Sequence, residues 1–189
     1  MTNFVETIQK NLALPTIQKI DPNSQDAKEK FLRLPEEKLA QASVPAVLTA
    51  LYSFTRTDEG CDFILSHSDQ PQWLGILFLD KEKTAVARVA EYAGVTKREA
   101  KKNMEIVANE SISVLMKEAG DDPGIENIRS VMNAQRHNIL VCLPAAMQMG
   151  DLLNEEALDD RTNKMEGPVS NFLHKIENIL SKGDKPKYP

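Results

Sequence analysis

The sequence predicts an all-α fold: an irregular multihelical array of about eight to ten short helices. Three observations carry that expectation. Apolar residues recur at the three-and-four spacing of helices in most segments. Period-two alternation is absent, and β-branched residues do not cluster between turns. The 10 prolines and 8 glycines fall too often for long straight helices. Of 189 residues, 41% are apolar, enough to bury a core. The expected organisation is an N-terminal helical extension over 1–33, a helical core domain over 34–180 and a disordered tail over 181–189.

Residues 2–13 predict a first helix with Phe4, Val5, Ile8 and Leu12 on one stripe. Pro15 and the Asp21-Pro22-Asn23-Ser24 turn interrupt the chain, and Ser24 is placed to cap a short helix through Leu32. Pro35, at a first helical position, starts a helix toward Thr55 with Leu39, Ala42, Val47, Ala50, Leu51 and Phe54 inward. Pro45 should kink or break it, because proline removes a helix donor and clashes with the preceding turn. Asp58-Glu59-Gly60 opens a helix over Cys61–Ser66, and Gln72–Leu79 is an apolar stretch around the single tryptophan. Asp80 is read as the N-cap of 81–93, with Gly94 ending that helix. Thr96-Lys97-Arg98-Glu99 forms a capping box opening a helix to Ala119. Its inner face is Ala100, Met104, Val107, Ala108, Ser111, Ile112, Leu115 and Ala119. Asp122-Pro123 should start a helix to about Arg136, followed by an apolar helix over 138–148 interrupted at Pro144. Short helices follow over Asp151–Ala157 and from Pro168, the last with Val169, Phe172, Leu173, Ile176 and Leu180 inward.

Two stretches echo each other at an offset of 64: residues 44–66 and 108–130. Each reads as helix, acidic glycine turn, helix, with Asp58-Glu59-Gly60 over Asp122-Pro123-Gly124. A real repeat would make two helical halves related by a pseudo-twofold axis. Two copies are too few for a solenoid.

A further pattern lies in the order of segments. Pro45-Ala46-Val47-Leu48 precedes Glu59-Gly60, then Leu74-Gly75-Ile76-Leu77-Phe78, then Glu91-Tyr92-Ala93-Gly94-Val95-Thr96 and a long amphipathic helix. Over about residues 34–150 this resembles the YidB-like family, a bacterial domain of unknown function. The stretch Asp159–Ser170 is similar to a local signature of longer members. The resemblance implies a cytosolic, all-helical domain and brings no catalytic residue with it.

Charge and motifs narrow the function classes. A net charge of −5 and 5% aromatics argue against a dedicated nucleic-acid binder. Met1–Glu6 lacks the features of a signal peptide, and no apolar run reaches the ~20 residues of a membrane helix. The expected location is therefore cytoplasmic, without membrane insertion, and Cys61 and Cys142 are expected as reduced, buried thiols. His67, His137 and His174 lie in no metal-binding spacing; His174 and Glu177 read as a surface pair. The acidic pairs Asp121-Asp122 and Asp159-Asp160 flank expected helix starts, where capping explains them. No phosphate-binding glycine loop or nucleophile elbow occurs, so no catalytic residue, cofactor or metal is assigned.

Two candidate surfaces remain. Lys97, Arg98, Lys101 and Lys102 stack at i,i+4 spacing into one basic patch at the start of the long helix, where the helix dipole disfavours cations. The loop carrying Arg161, Asn163, Lys164, Met165 and Glu166 joins helical parts without an apolar stripe. The reading is a non-enzymatic helical interaction or scaffold module, with a protein partner or self-association. The alternative is a small-ligand or lipid-binding helical domain with a pocket lined by 73–79 and 139–149. An enzyme without a recognisable motif is the third.

Overall fold

The computed structural model describes residues 2–20 and 34–153. Among them lie seven α-helices of six residues or more: α1 (Phe4–Asn11), α2 (Pro35–Phe54), α3 (Asp58–His67), α4 (Trp73–Phe78), α5 (Glu82–Ala93), α6 (Lys97–Ala119) and α7 (Ile125–Leu140). A five-residue helix, α8 (Met149–Leu153), follows, and single 3-10 turns stand at Leu79–Lys81 and Ala145–Met147. The described residues contain no strand, so the fold class is all-α. The expected helices at 24–32 and from Pro168, the acidic pair Asp159-Asp160, His174, the tail over 181–189 and the candidate loop Arg161–Glu166 lie outside the described residues.

Helix α2 is the axis of the molecule. Every residue from Ala40 to Tyr52 is buried, so the expected single inward face is corrected to burial on all sides. The reason is composition. Ala40, Ala42, Ser43, Ala46 and Ala50 are small enough to let α1, α4, α5, α6, α7 and α8 approach from different directions. Pro45 does not break the helix: α2 runs unbroken from Pro35 to Phe54. An interior proline costs about 3 kcal/mol. Burying Val44, Val47, Leu48 and Leu51 on the same helix offsets that, at about 1.5–3 kcal/mol for each large apolar side chain.

Helix α6 follows its sequence pattern. Thr96 Oγ1 accepts from the Glu99 N–H (3.2 Å) and Glu99 Oε2 accepts from the Thr96 N–H (2.9 Å), closing the capping box. Ala100, Met104, Val107, Ala108, Ser111, Ile112 and Leu115 are buried, as the spacing requires. Val114 is buried too, and Ala119 only half so. Gly94 ends α5 in the left-handed conformation (φ 68°), and the Val95 N–H returns to the Ala90 carbonyl at 3.1 Å.

Other expectations shift. Asp80 lies in the 3-10 turn and does not cap α5, whose N-cap position is Lys81. Helix α7 starts at Ile125 rather than Asp122 and runs on to Leu140, absorbing the first residues of the helix expected over 138–148. Beyond it the chain turns at 141–143, because Pro144 takes an extended conformation (ψ 124°) before the 3-10 turn. The echo survives as two helix–turn–helix units, but not in register. The first turn spans 55–57 and the second 120–124, so α7 begins after Asp122, where the offset of 64 puts its start.

Within the expected N-terminal extension, helix α1 packs on the core. Phe4, Val5 and Ile8 of α1 belong to the same buried cluster as α2, α6 and α7. Trp73 is also core, meeting Phe54 and Phe63 edge-on at 6.5 and 5.8 Å between ring centres.

Candidate functional site

Two helix starts meet at one place on the surface. The first turn of α2 and the Val95–Glu99 junction before and within α6 line an open groove of about 350 Å³, with Leu34, Pro35, Leu39 and Val95 as its apolar wall and Glu36 and Glu99 as its acids. Leu34 is 50% exposed; with Ile106 it is one of two large apolar side chains left in solvent among the described residues. Both helix starts are held locally. The Leu34 N–H donates to Glu37 Oε2 at 3.0 Å, and the Thr96 hydroxyl donates to Glu99 Oε2 at 2.7 Å. The Thr96 hydroxyl and N–H together hold the Glu99 carboxyl below its ordinary range, so it stays charged. The groove therefore offers hydrocarbon flanked by negative charge.

The basic residues lie along the neighbouring turns of α6. Lys97, Arg98, Lys101 and Lys102 are all exposed on the first turns of α6. Lys101 is engaged by Glu82 of α5 at 2.8 Å and by Glu105 at 3.7 Å, and the Glu82 carboxylate raises its ammonium pKa. Lys97, Arg98 and Lys102 form no ion pair among the described residues. Sequence spacing showed their shared turns but could not show the acid delivered from another helix.

The remaining candidates stay separate. Cys61 is buried on α3 with its Sγ 3.1 Å from the Thr55 carbonyl, and burial pushes its thiol up to about 11. Cys142 is buried beyond α7, where desolvation likewise raises its thiol. A thiol held protonated is a poor nucleophile. His67 ends α3, stacked on Phe63 at 4.3 Å with Nδ1 3.2 Å from the Phe63 carbonyl, while His137 is exposed on α7. Asp121 and Asp122 are exposed in the turn before α7 and do not cap it; the Gly124 N–H donates to Asn127 Oδ1 instead. Among the described residues no group of three His, Cys, Asp or Glu side chains stands where it could hold a metal. Segments 73–79 and 139–149 supply Trp73, Leu74, Ile76, Phe78, Ile139, Met147 and Met149 to the core. A second groove, at Thr49, Tyr52, Arg136, Ile139 and Leu140, has no room for a water molecule.

Two residues that sequence reasoning passed over form buried polar sites that tie distant backbone together. Gln41 is buried on α2; its Oε1 accepts from the Gln18 N–H (2.7 Å) and its Nε2 donates to the Gln18 and Cys142 carbonyls (3.0 and 2.7 Å). Gln135 is buried on α7; its Oε1 accepts from the Phe4 N–H (3.0 Å) and its Nε2 donates to the Thr2 carbonyl (2.8 Å). The available signal was a long amide among apolar neighbours: Gln41 sits between Ala40 and Ala42, and Gln135 shares a stripe with Met132 and Ile139.

No family model, no curated protein and no solved structure matches this chain. No helix among the described residues is long and apolar enough to cross a membrane.

Proposed function

We propose that the chain is a non-enzymatic helical interaction module acting in the cytoplasm, and that its YidB-like character spans about residues 34–150. One observation carries the interaction reading: the apolar groove at the start of α2, with Leu34 half exposed above it and Glu36 and Glu99 beside it. That combination suits a partner segment presenting an apolar side chain next to a lysine or arginine. An exposed leucine in a concave site is stabilised by being covered, and the flanking acids select the charge of what covers it. The small-ligand or lipid-binding domain is the second reading; the groove's volume and apolar wall favour it over a buried pocket between 73–79 and 139–149.

Native mass spectrometry of the full chain, beside a denaturing spectrum, tests both. A multiple of the 21.1 kDa chain that Leu34→Glu abolishes supports the interaction reading. A monomer carrying a reproducible small-molecule adduct replaces it with ligand binding. A bare monomer, unchanged by Leu34→Glu, counts against the groove as a self-contact. The next test is then titration with a synthetic apolar–basic peptide, and failure to bind overturns the reading.

A further inference from the structure

The described chain ends beside the groove at Leu34. Helix α8, its last element, packs on α2 and α5, and Leu152 and Leu153 lie half-buried against the core. The approach to α8 is tied to the same two helices. Gln41 Nε2 of α2 donates to the Cys142 carbonyl at 2.7 Å, and Arg88 of α5 donates to the carbonyls of Met147 (3.0 Å) and Gln148. Those helices also frame the groove, α2 by its first turn and α5 through Val95 just beyond its end. Gln41 stands six residues past Pro35, and Arg88 seven before Val95, so each tie lies about two helical turns, roughly 10 Å, from the groove wall. Thirty-six residues follow Leu153, and one stretch among them carries an apolar stripe: Val169, Phe172, Leu173, Ile176 and Leu180 recur at three-and-four spacing. Lys175 stands among them, a cation beside apolar side chains, which is the chemistry that Leu34, Leu39 and Val95 with Glu36 and Glu99 call for.

We propose that residues 169–180 of the same chain occupy the groove, with their apolar stripe on Leu34, Leu39 and Val95 and Lys175 toward Glu36 and Glu99. This inference rests on the reading of the groove as an interaction site and names what fills it. Reach does not limit it. The fifteen residues 154–168 span roughly 22 Å if wound entirely as helix and roughly 50 Å if extended, and both exceed the two turns to be crossed. A segment on the same chain is held near the groove at an effective concentration of roughly millimolar. An outside apolar–basic segment therefore enters only by displacing it, and the groove is covered until a competing partner arrives.

NMR of the full chain, labelled at its leucine, isoleucine and valine methyls and its phenylalanine rings, tests it. The expected result is cross-relaxation from the Phe172 ring and the Ile176 methyls to the methyls of Leu34, Leu39 and Val95. A full chain carrying both Phe172→Asp and Ile176→Asp should shift those three residues and leave Ile128 and Val131 of α7 unchanged. That variant should also bind a synthetic peptide of residues 168–181 at least about ten times more tightly than the parent, because the parent's groove is open for only a small fraction of the time. Absence of the contacts in the parent, or equal peptide affinity for the two chains, overturns the assignment. Contacts found only between labelled and unlabelled chains in a mixture put a second copy in the groove and overturn it too. Failure of this inference and of the groove reading are distinguishable. Contacts absent while an apolar–basic peptide still shifts Leu34 and Val95 overturns residues 169–180 as the occupant and keeps the groove as a site. Contacts absent with no peptide shift in either chain overturns both.

Discussion

The α2–α3 and α6–α7 hairpins share an acidic glycine turn yet use it for opposite purposes. In the first, three residues (55–57) join the helices, and Gly60 falls inside the first turn of α3. A Cβ there would stand 1.9 Å from the Phe54 carbonyl oxygen and 2.9 Å from its carbon, so α3 presses backbone to backbone on the end of α2. In the second, five residues (120–124) join the helices and Gly124 is the N-cap, where a Cβ meets nothing nearer than Asn127 Oδ1 at 3.6 Å. The capping roles reverse as well. The Gly60 N–H donates back to Thr57 Oγ1, whereas the Gly124 N–H donates forward to Asn127 Oδ1. A short turn turns glycine into a steric necessity; a longer one leaves it as a choice of cap.

The largest expected effect breaks the comparison at the glycines. Gly60→Ala should destabilise by about 3 kcal/mol or more, because a backbone carbonyl cannot swing aside as a side chain does. Gly124→Ala should cost about 1 kcal/mol or less, the difference between a tolerated and a poor N-cap. Urea melts of both variants check this, and similar midpoints would refute the distinction.

A smaller effect uses the buried thiol of the first hairpin. Burial raises Cys61 from an ordinary 9.0 to about 11, so the folded chain keeps a proton that the unfolded chain has lost between those values. That contribution is fully present below about pH 9 and is lost as pH rises through 11. At about 1.4 kcal/mol per pKa unit it amounts to at most about 2–3 kcal/mol. Cys61→Ala should flatten the alkaline limb of a stability-versus-pH curve relative to the parent chain; parallel curves would show that the thiol is not the cause.

The smallest concerns the contact between hairpins. Arg129 of α7 pairs with Asp58 of α3 and, at 2.8 Å, with Glu126 of its own helix. The Asp58 side chain is 69% exposed, so Asp58→Asn should cost only a few tenths of a kcal/mol, and less at high salt. A loss above about 1 kcal/mol would mean that α3 and α7 rely on charge rather than on packing.

Much of the fold was legible because local rules were sufficient. The capping box at Thr96–Glu99, the left-handed Gly94, the buried stripe of α6 and the burial of Trp73 each follow from nearby residues. Pro45 stays helical inside the ring of helices packed on α2, a decision made outside its local window, whereas Asp80 is taken up by a 3-10 turn and the chain turns after Leu140 ahead of an extended Pro144. The candidate site divides the same way. The cations of α6 could be found by spacing, but the engagement of Lys101 depended on Glu82 of another helix. The groove at Leu34 joins residues about sixty positions apart, and no motif spans that separation.

The sequence by itself determined helix class, most helix starts and stops, and the one-sided burial of α6, since these depend on spacing within a few turns. Tertiary structure alone decided that α2 is enclosed on every side, that α1 belongs to the core and that Gln41 and Gln135 hold the N-terminal backbone. Those outcomes depend on how many partners surround a helix and where distant peptide groups fall, and neither quantity is encoded at short range.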